Sequence, residues 1–158
     1  MEEKVHDCIF CRIIAGEIPA EIVYEDDTVV AFRDLYPVAP THVLIVPRFH
    51  TETILDLAKT EDVDDTMARV MFAVSRIAKS EGIAENGFRF IANTGRDGGQ
   101  TIFHTHFHLI GGAPLGEALL PPGSIKAPDD HPLSQVPSKG NDPVKPIVLP
   151  DPPGIAHL

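Results

Sequence analysis

His104, His106 and His108 stand at alternate positions in a segment that ends Leu109-Ile110-Gly111-Gly112. A strand repeats every two residues, so an extended segment sends all three imidazoles from one face and Thr105, Phe107 and Leu109 from the other. Such a row of nitrogen bases allows two chemistries. Two imidazoles and a third protein ligand can hold a hydrolytic zinc with an open position. Alternatively, a neutral imidazole attacks an electrophilic phosphorus while its neighbour protonates the leaving group or holds phosphate oxygens. Same-face side chains are rooted about 7 Å apart, which separates the outer pair by roughly 13 Å and favours divided roles over one shared ion. The unperturbed imidazole pKa of about 6.5 keeps a nucleophilic neutral fraction at cell pH.

The loop just upstream suits an anion. Gly95, Gly98 and Gly99 let the backbone approach closely, and Gln100 and Thr101 add neutral donors. A tight hairpin connection uses the same residues. Cys8-x-x-Cys11 has three readings: a redox pair, two buried thiols, or half of a metal site. A redox pair needs a preceding strand and a βαβ setting, which the acidic start does not supply. Two cysteines three apart can take two tetrahedral positions, with histidines for the others, so zinc is the better reading.

These residues need a scaffold, and the chain reads as α+β. Cys8 to Ala15 ends at Gly16 and predicts a short helix. Ile22-Val23-Tyr24 and Thr28 to Phe32 flank a polar turn and predict a β-hairpin; Thr41 to Val46, closed by Pro47, predicts a third strand. Between Thr60 and Glu81, Val63, Met67, Val70, Met71, Val74, Ile77 and Ala78 recur at intervals of three and four, which predicts one long helix. Phe88 to Asn93 and the histidine segment complete five strands.

The 158 residues carry a formal charge of −10, without the Lys and Arg field that nucleic acid or an anionic membrane surface demands. The longest strongly apolar stretch, Val43 to Val46, is far short of a bilayer span, and Met1-Glu2-Glu3-Lys4 has no secretory character. A cytoplasmic location is the expectation, with cysteines kept reduced. Eleven of the fifteen prolines lie between Pro114 and Pro153. Residues 1–112 therefore read as the catalytic domain and 113–158 as a proline-rich extension, extended or partly docked.

The His104-x-His106-x-His108 run with Leu109-Ile110, Ala39-Pro40-Thr41-His42 opening an apolar strand, and Asn93 before Asp97-Gly98-Gly99-Gln100 closely resemble the histidine triad family of nucleotide hydrolases and transferases. Gly111-Gly112 and the Ala-Pro-Thr-His run resemble the Hint branch, the purine nucleoside phosphoramidases, more than the Fhit-like dinucleoside polyphosphate hydrolases. The resemblance covers about residues 7–112. It implies a five-stranded antiparallel sheet with one long and one short helix, doubled to ten strands in a homodimer. It also implies a purine nucleotide substrate and a two-step displacement through an adenylyl-histidine.

By the same resemblance, His106 is the nucleophile, His108 contacts phosphate and leaving group, and His42 supports His108. Asn93, Gly99, Gln100 and Thr101 line the phosphate, where many relatives have serine in place of Thr101. Asp34 takes the ribose hydroxyls, and Ile9, Phe10, Ile13, Ile18, Phe32 and Leu35 form the base pocket. Some relatives bind a structural zinc through such a cysteine pair, and the matching set here is Cys8, Cys11, His50 and His104. No organic cofactor is implied. Hint-branch chains often contribute a C-terminal tryptophan to the partner's leaving-group pocket; this chain has no Trp, which leaves the leaving group the least defined feature.

Overall fold

The structure is a computed structural model that describes residues 7–117 and residue 119. Beyond these few residues, the proline-rich extension lies outside the described part of the chain. Helix α1 (Ile9–Ile14) leads into strands β1 (Ile22–Glu25), β2 (Val29–Arg33) and β3 (Thr41–Pro47). Helices α2 (Ile54–Leu57) and α3 (Val63–Ser80) follow, and then β4 (Phe88–Ile91) and β5 (Phe107–Gly111). The strands form one antiparallel five-stranded sheet in the order β1-β2-β3-β5-β4. Strand β5 inserts beside β3, which places the histidine segment at the centre of the sheet rather than at an edge.

The two faces of the sheet are both covered, and the residue alternation shows by what. Val29, Ala31, Val43, Ile45, Phe107 and Leu109 pack against Val70, Ala73, Val74 and Ile77 of α3. Val30, Phe32, Leu44 and Val46 pack instead with Phe10, Ile13 and Ile14 from α1. Both faces of β3 are consequently buried, which is why its sequence is apolar without interruption after His42. His42 and His108 belong to the α1 face, in register with Ile110 and Leu44 respectively. The short helix therefore lies on the side of the sheet from which the histidines emerge.

Helix α3 carries Asp64 and Asp65 in its first turn and Lys79 in its last, as its dipole favours. Gly82 at φ +72° reverses the chain, so that Ile83 N bonds back to Ala78 O at 2.9 Å. The Arg33 guanidinium grips Glu81 through two bonds, 2.6 and 3.2 Å, tying this helix end to β2. No helix among the described residues is long and apolar enough to cross a membrane.

Two boundaries and one added element differ from expectation. Regular pairing of β5 begins only at Phe107, so His104 and His106 precede the strand rather than lie within it. The ladder on β3 stops there because β3 ends at Pro47, which has no amide to donate. Thr105 N instead bonds Thr51 O at 2.7 Å, so the segment stays extended by pairing with a loop. Strand β4 ends at Ile91, short of Asn93. Helix α2 is an element the apolar pattern did not reveal; a reciprocal capping box between Thr53 and Asp56 starts it.

Candidate active site

Backbone groups around the four central histidines dictate where each ring carries its proton. A carbonyl can only accept, so a ring nitrogen facing one must be the N–H. His104 Nε2 lies 2.8 Å from Pro47 O and donates to it, which leaves Nδ1 bare. His106 Nδ1 lies 2.7 Å from its own segment's His104 O and donates, which leaves the Nε2 lone pair free. His42 is set in the opposite sense, because Val38 N–H donates to its Nδ1 at 3.2 Å. The proton of His42 therefore sits on Nε2, 2.9 Å from His108 Nδ1, which must accept. His108 in turn presents an Nε2–H.

The result is a bare Nε2 on His106 beside an Nε2–H on His108, with ring centroids 5.2 Å apart. Burial lowers the pKa of His42 and His106. Burial, reinforced by the neighbouring imidazoles of His106 and His42, holds His108 down to about 4. Burial thus favours the neutral form of all three rings. Phe10 fixes the plane of His106 edge-on, its ring 5.1 Å from His106 and 5.5 Å from Phe32.

Asp34, His42 and His108 bring ligand atoms within 4.8 Å of one another, as a metal site would. The hydrogen bonding argues against an ion there: a metal on His42 Nε2 would require the proton on Nδ1, where Val38 N–H already points. The trio is better described as a directed hydrogen-bond chain from a backbone amide to the site.

Beside the histidines lies an apolar cavity of about 190 Å³. Ile9, Phe10, Ile13, Ile18, Phe32 and Leu35 all line it, together with Asp34. Residues from α1, the following turn and β2 are thereby gathered on one wall. Asp34 Oδ1 accepts from Tyr36 N at 2.8 Å, which holds the carboxylate at this wall, and its Oδ2 lies 3.5 Å from His42 Nε2.

The glycine loop is less uniform than its sequence suggested. A Cβ on Gly98 would stand 2.3 Å from Thr94 O and 2.9 Å from Thr94 N, so only glycine lets the loop close upon itself. Gly99 is exposed at φ +78°, and Asn93 is half-buried where the chain enters the loop. Gln100 is buried and its amide is fully committed. Nε2 donates to the Glu52 and Ile102 carbonyls at 2.7 and 3.1 Å, and Oε1 accepts from Gly95 N at 2.9 Å. In this arrangement Gln100 braces the loop and has no N–H left for a phosphate, contrary to the expectation for its side chain. Thr101 is exposed and lines a groove with Cys8, Ile9, His50 and Phe103 rather than the apolar cavity.

Cys8, Cys11, His50 and His104 converge at the other end of the histidine row, their ligand atoms all within 4.8 Å. Cys8 Sγ is 3.3 Å and Cys11 Sγ 3.5 Å from His104 Nδ1, and His50 Nδ1 is 3.3 Å from Cys11 Sγ and 3.1 Å from His104 Nδ1. Tetrahedral zinc with ordinary bond lengths needs ligand-to-ligand edges of about 3.3–3.8 Å, so the set fits with small adjustment. His104 offers the bare nitrogen a metal needs, with its other nitrogen anchored on Pro47 O as metal-bound histidines require.

Two further residues hold the row and were not singled out from sequence. Thr51 Oγ1 and Thr105 Oγ1 meet at 2.7 Å, and Thr105 Oγ1 also lies 3.1 Å from Thr51 O, fixing the backbone between His104 and His106. No local pattern marks this pair, since its partners are 54 residues apart.

Comparison with known proteins agrees with this geometry. Residues 15–115 match the HIT domain family model. This chain belongs to the HIT family. It is 48% identical over 113 residues to a purine nucleoside phosphoramidase of Escherichia coli K12, covering 72% of this chain and 93% of that protein. A 14 kDa zinc-binding protein of Brassica juncea is 42% identical over 118 residues, covering 74% of this chain and all of that one. The crystal structure of a HIT family hydrolase from Legionella pneumophila superposes with a TM-score of 0.66 at 41% identity, over 70% of this chain and 97% of the other. The protein is thus a HIT-family hydrolase, and its five-stranded antiparallel sheet belongs to the HIT fold.

Proposed function

We propose that this HIT-family hydrolase cleaves the P–N bond of purine nucleoside 5′-phosphoramidates and releases AMP and an amine. The observation that carries the reading is the paired free Nε2 of His106 and Nε2–H of His108, set beside a base-sized apolar cavity with Asp34 at its wall. The 48% identity to the Escherichia coli phosphoramidase supports the choice of bond.

In the first step the His106 Nε2 lone pair bonds to phosphorus and the P–N bond breaks. The departing nitrogen keeps that electron pair and takes a proton from His108 Nε2. Positive charge developing on the His106 ring is met by His104 O, already bonded to its Nδ1–H. In the second step water attacks phosphorus, returns a proton to His108, and frees His106 and AMP. Asn93, Gly99 and Thr101 are assigned to the phosphate and Asp34 to the ribose. Cys8, Cys11, His50 and His104 hold a structural zinc in this reading, leaving His106 out of the metal's coordination.

AMP release from adenosine 5′-phosphoramidate and from a diadenosine polyphosphate, measured side by side by chromatography, tests the reading. Faster release from the phosphoramidate is expected. Preference for the polyphosphate would assign the other branch of the family, and AMP binding without release from either would make the protein a nucleotide-binding module.

We also propose a homodimer in which the sheet continues across two copies. Strand β4 is a sheet edge, and its unpaired backbone groups can accept a second β4. Sedimentation equilibrium should give twice the chain mass of 17.2 kDa; a monomer at micromolar concentration would refute the arrangement.

A further inference from the structure

The reading above assigns Asp34 to the ribose, but its position answers a separate problem in the proton chemistry. In the neutral chain Val38 N–H, His42, His108, every nitrogen between the backbone and the site is already committed. If His108 gave up its Nε2 proton in that state, while still accepting from His42 at Nδ1, an anionic imidazolate would remain. The departing amine therefore needs the pair to carry an additional proton beforehand. Val38 N–H blocks His42 Nδ1, so the place for that proton is His108 Nδ1. Two N–H groups would then face each other across 2.9 Å. The conflict is relieved only if the His42 Nε2–H tips toward another acceptor, and Asp34 Oδ2 lies 3.5 Å from that nitrogen.

We propose that Asp34 is the counter-charge that lets the His42–His108 pair hold the proton consumed by the departing amine, in addition to any contact with ribose. The proposal rests on the P–N cleavage reading. The bookkeeping of atoms closes: solvent supplies the proton to His108 Nδ1, the amine leaves with the Nε2 proton, and neutral His108 then carries its hydrogen on Nδ1. Its Nε2 is thereby bare when water attacks and takes the proton water loses. Two charged or titratable groups face the pair, His106 and Asp34. His106 and His42 oppose charge on His108, and Asp34 favours charge on both members of the pair. Asp34 is a positioning residue in this role, acting on phosphorus chemistry through His42.

Asp34→Asn separates the two roles, because Asn keeps an acceptor for Tyr36 N and removes the charge. Turnover is measured with adenosine 5′-phosphoramidate and with its 2′,3′-dideoxy analogue, which has no hydroxyl for Asp34 to bind. The variant should lower kcat about tenfold or more on both substrates and move the alkaline limb of the kcat profile to lower pH, since the essential acid loses its proton more readily. In the free protein, 15N spectra of labelled histidine should show the His42–His108 titration displaced downward by about one pH unit. Unchanged kcat on the dideoxy substrate together with an unchanged histidine titration would overturn the proposal and leave Asp34 a ribose ligand alone. Should the wild type cleave no phosphoramidate, the function reading fails by itself, and the titration still decides whether Asp34 holds the pair's charge.

Discussion

His106→Ala is expected to reduce AMP release at least about a thousandfold while AMP binding stays close to wild type. The separation of the two effects follows from where the ring sits. Among the described residues, its Nε2 is the one central imidazole nitrogen with a free lone pair and no partner, since Nδ1 is tied to His104 O. The walls of the apolar cavity come from other residues, on α1, the turn after it, β2 and the turn beyond it, with Leu44 and Ile102. Alanine therefore removes the attacking atom and one edge contact with Phe10, but none of the groups assigned to base or ribose. Single-turnover kinetics read the covalent step, and calorimetry with AMP reads the pocket. If binding and turnover fell together, His106 would be part of the pocket rather than the nucleophile, and the two-step mechanism would lose its intermediate. The expected loss is large because the second step also depends on the first: without the His106–P bond there is nothing for water to cleave.

The histidine row was legible in the sequence because an extended chain alternates whether or not it belongs to a ladder. His104 and His106 keep the two-residue alternation although regular pairing starts only at Phe107. Cys8 and Cys11 were legible as a pair from their spacing at the start of α1, whereas His50 and His104 joined them only through the family resemblance. What the sequence could not convey are contacts whose partners are distant and chemically unmarked. The Thr51–Thr105 hydroxyl pair and the Val38 amide on His42 belong here, as does Pro47 O beneath His104. Gln100 shows the converse failure. Its type suits a phosphate donor, yet the loop it belongs to must satisfy the Glu52 and Ile102 carbonyls, and Gln100 is the donor that reaches them. Helix α2 was missed because four residues are too few for an apolar period, although Thr53 and Asp56 carry the capping-box spacing.

Elemental analysis of protein purified without chelator should give about one zinc per chain, absent from Cys11→Ser, and removal should lower the melting temperature by roughly 10–20 °C. That size corresponds to about 4 kcal/mol, the stabilisation from a ligand held a thousandfold below its free concentration. It is less than a zinc finger gains, because both faces of this sheet retain their own cores without the metal. The loss should still exceed that of a surface contact. The four ligands tie α1, the loop after β3 and the histidine segment together, adding to the Thr51–Thr105 bonds and the edge contacts of Phe10 with His104 and His106. Without a cation, burial and the Cys8 thiol beside it push the Cys11 thiol up to about 12. Metal binding must therefore release that proton, and affinity should fall as pH falls. Burial also holds His104 down to about 4, so this ligand stays available well into the acid range. Zinc retention followed against pH should accordingly fail through thiolate protonation before His104 takes up a proton. Metal-free protein with an unchanged melting temperature would show that the four side chains close the end of the row by hydrogen bonding alone.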